Sequence, residues 1–469
     1  METRIEKDFL GERQVPADAL WGIHSLRANE NFPLSGYRTA AGLIKTYAYV
    51  KKAACQVNRE LDMIAPDKAG AVIQACDEMI AGQHHESIIV DALAGGAGTS
   101  LNMNMNEVIA NRALQILGKM PGTYDVVSPL DDVNKHQSTN DTFPTAVKVA
   151  ALFALEDLED RLTTLHRICQ DKEKEFRDIV KIGRTEMQAA VPITLGVEFS
   201  GYAESFAQDR WRVFKARERL RMINLGGTAV GTGLGAPREY IFAVTEALKT
   251  LTGLNVCRAE NLVYPTQSCD SFCEAAGILK TCAVNLMKVA RDLRLLATLG
   301  EIELPSLQAG SSIMPGKVNP VICEAVIQAA LRCLADDSVI NQAAAMGTLE
   351  INEYMPLIAV SLLEMLQLLT QSAQMLGDCI AKIEAHPRVC QDLTDANPVI
   401  MTAFVPILGY EKVLDLITRY QALPLDGRIT VRKFLNTEIG EKSVNDVLSP
   451  SNLTRLGFDR NQVVKDRNK

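Results

Sequence analysis

One segment, residues 310–320, carries hydroxyl, amide and ammonium groups in the order GSSIMPGKVNP. Ser311 and Ser312 follow one glycine and a second glycine precedes Lys317, so the backbone has hinge-like freedom at both ends of the segment. Lys317 can neutralise a carboxylate, and Asn319 with the proline after it predicts the N-cap and first residue of a helix. A mobile loop with these groups is typical of a lid that closes over a small-molecule site. The segment contains no GxSxG motif and no serine–histidine–aspartate pattern of a hydrolase.

A second polar segment, HQSTND at residues 136–141, places four capping-type residues in a row ahead of Pro144. We predict that Pro144 occupies the first turn of a long helix. The side chains of Ser138, Thr139 and Asn140 then lie beside free backbone N–H groups at the positive end of the helix dipole. This pattern predicts an anion site suited to a carboxylate. Simple N-capping, which needs only one such residue, is the alternative.

Two further segments carry polar groups between predicted helices. Residues 95–100 read GGAGTS, in which glycines allow close approach of a ligand and Thr99 supplies a hydroxyl donor. Residues 183–188 read GRTEMQ and present Thr185 and Glu186. An ordinary turn is the alternative for the first segment, and a helix–helix connector is the alternative for the second.

The elements that position these segments are predicted to be long helices. Residues 272–296 place apolar side chains at alternating spacings of three and four, the pattern of helices packed nearly parallel in a bundle. This helix would span roughly 37 Å. Long stretches with a helical pattern predict five such helices, at about residues 145–178, 199–220, 272–296, 320–347 and 357–384. The last of these is apolar on most faces, which favours burial and oligomerisation.

Composition and domain organisation favour a globular, mainly helical chain. The chain has 469 residues, with 49 Lys and Arg against 57 Asp and Glu, and its net charge of −8 argues against nucleic acid and anionic membranes as partners. We expect an N-terminal, mostly helical domain at residues 1–139, a central long-helix bundle at 140–387 and a small C-terminal helical domain at 388–469.

The location of the chain is predicted from its cysteines and apolar segments. Eleven cysteines without a CxxC pair predict reduced thiols in a cytoplasmic protein. The six histidines form no HExxH motif, so no metal site is expected. Residues 1–16 lack the apolar region of a secretory signal. No uninterrupted apolar run approaches the length of a membrane span, about 18–20 residues.

Taken together, these segments resemble the aspartase/fumarase superfamily. GSSIMPGKVNP is similar to the superfamily's signature loop, and GGAGTS, HQSTND and GRTEMQAAVP follow in that family's order and approximate spacing. The resemblance covers nearly the whole chain. The opening LGERQVPADALWGIHSLRANENF, with His24, is most similar to the aspartase branch, because fumarases usually have Gln at the position of His24.

The resemblance implies a fold and a reaction. The fold is an all-α homotetramer in which each chain gives five helices to a central twenty-helix bundle and three subunits build each active site. The reaction is the reversible elimination of ammonia from L-aspartate to give fumarate, with a small-molecule substrate and no cofactor. Because the C3 proton is weakly acidic, such a site must stabilise a dianionic aci-carboxylate intermediate.

The resemblance also implies roles for individual residues. Ser311 is the general base, acting as an oxyanion when the loop closes, and Lys317 supplies the charge that grips the α-carboxylate. The remaining substrate-binding residues are Thr185 and Asn319 at the α-carboxylate, Ser138, Thr139 and Ser312 at the β-carboxylate, Asn140 at the leaving amine, and Thr99 at either the carboxylate or the amine. Glu324 has a supporting role one turn into the following helix.

Four departures from the family pattern leave the substrate open. Glu186 stands where relatives have His or Gln, Ala94 where aspartases commonly have Gln, and Ala189 where Asp is usual. A Gly-Pro-Arg stretch ahead of the signature loop is missing. An ionised Glu186 would repel a dicarboxylate and attract an ammonium.

Three alternatives to an aspartase follow from the same residues. One is another carbon–nitrogen lyase of the superfamily that releases a larger amine from an N-substituted aspartate. A fumarase is less favoured because of His24 and Glu186. A catalytically silent scaffold is disfavoured because Ser311, Lys317 and Asn319 are all present.

Overall fold

The computed structural model describes residues 2–458, which are mainly helical. The N-terminal part begins with a hairpin of two antiparallel strands, β1 (Thr3–Asp8) and β2 (Gly11–Pro16). Helices then dominate up to residue 116: α1 (Ile23–Asn31), α2 (Ala41–Glu60), α3 (Pro66–Ile80) and α4 (Thr99–Ile116). A short 3₁₀ turn, His85–Ser87, precedes α4, and a π-helical turn, Pro129–Val133, follows it.

Five helices of 25 residues or more lie in the described chain, as the sequence predicted. They are α5 (Thr139–Glu175), α6 (Leu195–Leu220), α9 (Asp270–Thr298), α10 (Val321–Ala345) and α11 (Met355–Ala381), with α7 (Arg238–Thr252) and α8 (Val263–Gln267) between the second and third. All eight positions of the apolar seam predicted for α9 are buried. The 3.5-residue period therefore identified the packed face of this helix correctly.

Short strands and small helices connect and follow the long helices. The strands pair as β3 (Val180–Thr185) with β4 (Gln188–Thr194), β5 (Met222–Ile223) with β6 (Cys257–Arg258), and β7 (Ile302–Glu303) with β8 (Glu384–Ala385). The C-terminal helices are α12 (Pro387–Asp395), α13 (Val405–Leu408), α14 (Tyr410–Gln421), α15 (Val431–Ile439), α16 (Glu441–Val447) and α17 (Pro450–Thr454), with a 3₁₀ segment, Pro398–Phe404, after α12. The all-α prediction holds for the bulk of the chain.

The connector predicted at residues 183–188 is instead part of a β-hairpin. Lys181 pairs with Ile193 and Thr185 with Gln188, so only two residues form the turn. Residues 180–182 and 192–194 are rich in β-branched side chains, which favour a pleated strand, and the family-like string VPIT continues the second strand.

The helix expected to begin near Pro144 begins five residues earlier, at Thr139. Pro144 therefore lies inside α5 rather than at its first turn, and the sequence interpretation was wrong on this point. Proline cannot donate to the carbonyl four residues before it, that of Asn140. The side-chain amide of Asn224 donates to that carbonyl instead, at 3.0 Å. The unpaired backbone oxygen is thus satisfied without a break in the helix.

The described chain divides into two compact units. The first comprises the residues up to Glu159, together with Trp211–Ala283 and Ala329–Thr370. The second comprises Asp160–Arg210, Val284–Gln328 and the residues from Gln371 onward. Within the second unit, Ile182 packs with apolar residues of the C-terminal helices, including Phe404 and Leu435. This packing buries the start of the β3–β4 hairpin and fixes its position in the second unit.

One described helix, α11, is long and apolar enough to cross a membrane by length and composition alone. Of its most apolar window, 61% is buried inside the protein. Burial of this kind is typical of the core helix of a globular domain, because such a helix is covered by protein on most sides.

Candidate active site

In the first unit, a cavity of about 440 Å³ opens at the start of α5. We call it the polar cavity. Its lining consists mainly of polar side chains and loop backbone, from Asn102, Met103, Asn134, His136, Gln137, Ser138, Thr139, Thr228, Ala229, Leu234 and Gly235. The structure thus brings Ser138 and Thr139 together at one cavity, at the N-terminus of α5, where the helix dipole has its positive end. Anions bind favourably at such a position.

The three predicted residues of this segment have different local roles. Ser138 precedes the helix, and its Oγ accepts a hydrogen bond from the backbone N–H of Asn140 at 3.2 Å. The Asn140 amide donates to the backbone oxygen of Ala229 at 2.7 Å, which connects α5 to the 228–235 loop of the cavity wall. Thr139 is largely buried and lines the cavity with Ser138. Ser138 therefore caps the helix, while both Ser138 and Thr139 lie at the cavity wall.

Asp141 is a functional candidate to which the sequence analysis gave no separate role. Its buried carboxylate accepts hydrogen bonds from the backbone N–H groups of Ser138 at 2.9 Å and of Gly226 and Thr228 at 3.1 Å. Burial raises the pKa of Asp141 to about 7, against the lowering effect of these three donors. The carboxylate holds the loop that forms the far wall of the polar cavity.

Lys51 is a second residue that the sequence analysis missed. It lies on α2, is fully buried, and donates to three side-chain amide oxygens beneath the polar cavity, those of Asn102, Gln137 and Asn134. Burial lowers the pKa of Lys51 to about 7, while the charge of Asp141 acts in the opposite direction. A lysine inside the apolar stretch of residues 47–57 was the available signal, because lysine is almost never fully buried unless it is paired.

Thr99 is the first residue of α4, and its position depends on the glycines before it. Gly98 has φ of +92°, and a Cβ there would lie 2.3 Å from the ring of Phe143. Only glycine fits this combination of a left-handed backbone and close packing. The neighbours of Thr99, Gly98 and Ser100, line a different cavity of about 500 Å³, which we call the apolar cavity and which also includes Ala94.

In the second unit, the 310–320 loop is closed at its base by hydrogen bonds. Gly310 donates its N–H to the carbonyl oxygen of Lys317 at 2.7 Å, and its own carbonyl accepts from the Asn319 amide at 2.8 Å. The helix after the loop, α10, begins at Val321, so the predicted N-cap, Asn319, lies one position too early to cap it. Asn319 ties the loop together instead. Lys317 and Asn319 are thereby held close to one another.

Between these two ends the loop extends outward. Ser311 is half-buried, and its Oγ accepts from the backbone N–H groups of Ile313 at 3.2 Å and Met314 at 3.0 Å. Ser312 and the residues after it through residue 318 are exposed, and Ile313 exposes 84% of its surface. An apolar side chain this exposed gains stability when the loop is covered. Two N–H groups directed at Ser311 Oγ favour an oxyanion over a neutral hydroxyl.

The β3–β4 hairpin carries Thr185 and Glu186 at its exposed tip. Glu186 and Met187 form the two-residue turn, with φ of 53° and 61°. Both residues adopt the left-handed conformation that a type I′ hairpin turn requires and that residues with a Cβ adopt at a cost. Strain of this kind is often found where a side chain must be presented to a ligand.

A buried ion pair holds the hairpin tip in place. Arg184 donates to both oxygens of Glu301, at 2.8 Å and 2.9 Å, and Glu301 is completely buried. Lys181 lies 3.3 Å from the same carboxylate and donates to Glu198 at 2.6 Å. The bidentate geometry fixes the guanidinium in one orientation, and Arg184 directly precedes Thr185.

The predicted site residues therefore fall into two sets, each in its own unit. Thr99, Ser138, Thr139 and Asn140 belong to the first unit, and Thr185, Glu186, Ser311, Ser312, Lys317 and Asn319 belong to the second. Within residues 2–458, no group of three or more His, Cys, Asp and Glu side chains is arranged to hold a metal ion. The donors are hydroxyls, amides, backbone N–H groups and Lys317, which are groups that bind carboxylates.

Comparisons with known proteins give consistent results. The profile of a family described as lyase matches residues 11–334. The chain is 39% identical over 470 residues to the aspartate ammonia-lyase of Bacillus subtilis strain 168, covering 99% of this chain and 98% of the relative. Among solved structures, it is similar to a protein of Brucella melitensis described as fumarate lyase:delta crystallin, bound to cobalt, with TM-score 0.92, 40% identity, and coverage of 97% and 100%. It is also similar to the class II fumarase of Schistosoma mansoni, with TM-score 0.88, 29% identity, and coverage of 96% and 98%.

Proposed function

This chain belongs to the lyase family, and we propose that it is an aspartate ammonia-lyase, a carbon–nitrogen lyase that converts L-aspartate to fumarate and ammonia in a reversible reaction. The substrate class rests on two separate sets of groups: hydroxyl, amide and helix N-terminal donors line the polar cavity of the first unit, and a cationic, hydroxyl-bearing loop belongs to the second unit. Both sets suit carboxylates, and aspartate has two.

The proposed mechanism begins with removal of the C3 proton by Ser311. The two backbone N–H groups at its Oγ favour the ionised form, and a closed loop excludes water and strengthens these interactions. The electron pair left at C3 is delocalised into the β-carboxylate, which becomes a dianionic aci-carboxylate. Ser138, Thr139 and Ser312 hold this group by hydrogen bonds that strengthen as the negative charge develops.

The remaining residues orient the other end of the substrate. Lys317, Thr185 and Asn319 grip the α-carboxylate, and Asn140 contacts the amine, with Thr99 at the amine or the β-carboxylate. Collapse of the aci-carboxylate forms the C2–C3 double bond and expels the amine from C2 as ammonia. Glu324, in the first turn of α10, supports the loop from a distance, and no cofactor takes part in this scheme.

We propose that the working assembly is a cytoplasmic homotetramer with shared active sites. The division into domains at residues 1–139, 140–387 and 388–469, with five bundle helices per chain, belongs to the same proposal. Exposed apolar side chains on the long helices support it, since Val284 on α9 and Leu331 on α10 each expose more than a third of their surface. Eleven cysteines outside any disulfide, nine of them buried, fit a reducing compartment.

A second candidate is a lyase that acts on an N-substituted aspartate. Two observations favour it: the carboxylate of Glu186 is presented at the tip of a strained hairpin, and Ala94 lines the apolar cavity beside Gly98 and Ser100. A carboxylate attracts a cationic amine, and a small side chain at Ala94 leaves room for a substituent. Both features are also compatible with aspartate itself.

The test is the formation of fumarate, followed by its ultraviolet absorbance, when the purified chain is mixed with L-aspartate. L-malate and a panel of N-substituted aspartates run in parallel, and released ammonia is measured independently. Equal amounts of fumarate and ammonia from aspartate establish the proposed function. Fumarate formed only from a substituted aspartate would favour the second candidate, and fumarate formed only from malate would favour a fumarase. If no substrate gives fumarate, a catalytically silent scaffold is favoured.

A further inference from the structure

A buried positive charge lies directly behind the polar cavity without a carboxylate in hydrogen-bond contact. The ammonium of Lys51 donates to Asn102 Oδ1 at 2.7 Å, to Gln137 Oε1 at 2.9 Å and to Asn134 Oδ1 at 3.1 Å. All three partners are neutral amides. A buried ion usually has an opposite charge as its direct partner, because taking it out of water is costly. An ammonium held by amides alone therefore keeps a positive field at the cavity floor.

Lys51 also determines the orientation of the Asn102 side-chain amide. An ammonium has donors and no acceptor, so the Asn102 atom that faces it must be the oxygen. The Asn102 nitrogen then faces the other way, and it donates to Thr139 Oγ1 at 3.0 Å. This assignment follows from the chemistry of the lysine rather than from the shape of the amide, whose two ends are nearly identical.

The direction of this chain of hydrogen bonds determines what Thr139 offers to a ligand. Because Thr139 Oγ1 accepts from Asn102, the hydroxyl hydrogen of Thr139 remains available for donation. Thr139 lines the polar cavity, as does Asn102. The Thr139 hydroxyl accepts a hydrogen bond from Asn102, which in turn accepts one from the charged Lys51. A hydroxyl polarised in this way is a stronger donor than an isolated one.

We propose that Lys51 is a positioning residue for the β-carboxylate: through Asn102 it turns the Thr139 hydroxyl into a fixed donor and places a positive field behind it. This inference rests on the proposed function for the identity of the anion. Lys51 does not touch the substrate. It acts on the negative charge that accumulates at the aci-carboxylate, so its contribution grows along the reaction coordinate.

The experiment measures the affinity of two unreactive probes by calorimetry near pH 6, where Lys51, with its pKa of about 7, carries its proton. The probes are succinate, which is a dicarboxylate, and succinamate, its monoamide. The monoamide can turn its neutral end towards Ser138 and Thr139. In Lys51→Met we expect the Kd of succinate to rise about tenfold, whereas the Kd of succinamate changes much less. A lysine that only fills space would weaken both probes equally, so the ratio of the two affinities reports the charge.

A second variant tests the direction of the hydrogen bonds from Lys51 through Asn102 to Thr139. It also keeps the proposal testable if Lys51→Met does not fold. Asn102→Asp gives Lys51 a carboxylate partner, so the buried charge is compensated, but the new side chain has no N–H group for Thr139. It accepts from the Thr139 hydroxyl instead and removes the donor from the cavity. We expect the same loss of preference for succinate, about tenfold, without loss of thermal stability.

Lys148 is the matched control. It is also a buried lysine of the first unit, 3% exposed, and donates to the backbone oxygen of Met222 at 2.8 Å, with its charge 5.4 Å from the ring centre of Phe272. Burial lowers the pKa of Lys148 to about 8. Lys148→Met therefore removes a comparable buried charge away from the polar cavity, and the ratio of the two affinities should stay at the wild-type value.

The outcomes separate this inference from the proposed function. If both cavity variants keep the wild-type preference for succinate, the positioning role is overturned whether or not the enzyme releases ammonia from aspartate. If wild type releases no ammonia but loses its preference for succinate in the two variants and not in Lys148→Met, the proposed function fails and the role of Lys51 stands. Equal loss in Lys148→Met would also overturn it.

Discussion

The side chain of Asn224 replaces the backbone hydrogen bond that Pro144 cannot make. Its amide nitrogen donates to the carbonyl oxygen of Asn140 at 3.0 Å and to Thr266 Oγ1 at 2.9 Å. The proline inside α5 would otherwise leave a backbone oxygen unpaired one residue from Thr139, at the edge of the polar cavity. This single contact lets the helix begin at Thr139, so that the hydroxyl residues lie at its positive end.

Asn224→Leu tests this contact. We expect it to lower the free energy of unfolding by about 1–3 kcal/mol, because the half-buried carbonyl of Asn140 and the buried hydroxyl of Thr266 each lose the amide donor of Asn224. Chemical denaturation followed by circular dichroism measures the change. Asn255→Leu, at an exposed loop position, is the control and should cost less than about 0.5 kcal/mol. An unchanged stability of the Asn224 variant would show that the carbonyl of Asn140 finds another donor.

Ser311→Ala removes the proposed base. We expect kcat for ammonia release to fall at least about a thousandfold, because the remaining groups bind the substrate but cannot take the C3 proton. Thermal melting and the mass in solution should match wild type, since Ser311 is only half-buried. Ser205→Ala, a half-buried serine of α6, serves as control. Retention of a tenth of the activity by the Ser311 variant would remove this serine from the role of base.

Glu186→Gln tests whether the hairpin carboxylate repels aspartate. We expect KM for aspartate to fall by about three- to tenfold with little change in kcat, because one negative charge is removed near a dianion. Met187→Gly is the control at the same turn: it relieves the positive φ of 61° without a change of charge. If the glycine variant lowers KM as much as the glutamine variant does, backbone strain rather than charge accounts for the effect.

The affinity for aspartate should weaken as the pH rises above about 7. Burial lowers the pKa of Lys51 to about 7, so the ammonium loses its proton there, and the raised pKa of Asp141, also about 7, adds negative charge in the same range. Both changes disfavour a dicarboxylate. The other titratable groups around Lys51 are Tyr47 on α2 and Cys76 on α3, and burial raises the pKa of each.

The measurement is KM for aspartate between pH 6 and 9. We expect KM to rise with pH equally in wild type and in Lys148→Met. In Lys51→Met we expect KM to be higher at pH 6 and to rise less steeply with pH. His136, whose pKa is lowered by burial, is neutral across most of this range and contributes little. Parallel profiles for wild type and Lys51→Met would assign the pH dependence to Asp141 alone.

Much of this protein was determined by local sequence patterns. The apolar seam of α9 and the five long helices follow from a helical period that depends only on residue spacing, and the structure confirmed them. The hydroxyl segment at residues 138–140 and the glycine-bracketed loop at 310–320 were recognisable because capping residues and glycines act through their own backbone.

Other features depended on partners distant in the sequence. The start of α5 was misplaced because the donor for the Asn140 carbonyl is 84 residues away, in Asn224. The β3–β4 hairpin was missed because strand pairing and the bidentate contact of Arg184 with Glu301 are long-range interactions. The apolar surroundings of Lys51 in the sequence signal its burial but not its partners, which are three amides from two separate segments. Periodicity and capping are local properties and can be predicted from sequence, whereas compensation of buried polar groups is decided only when the chain folds.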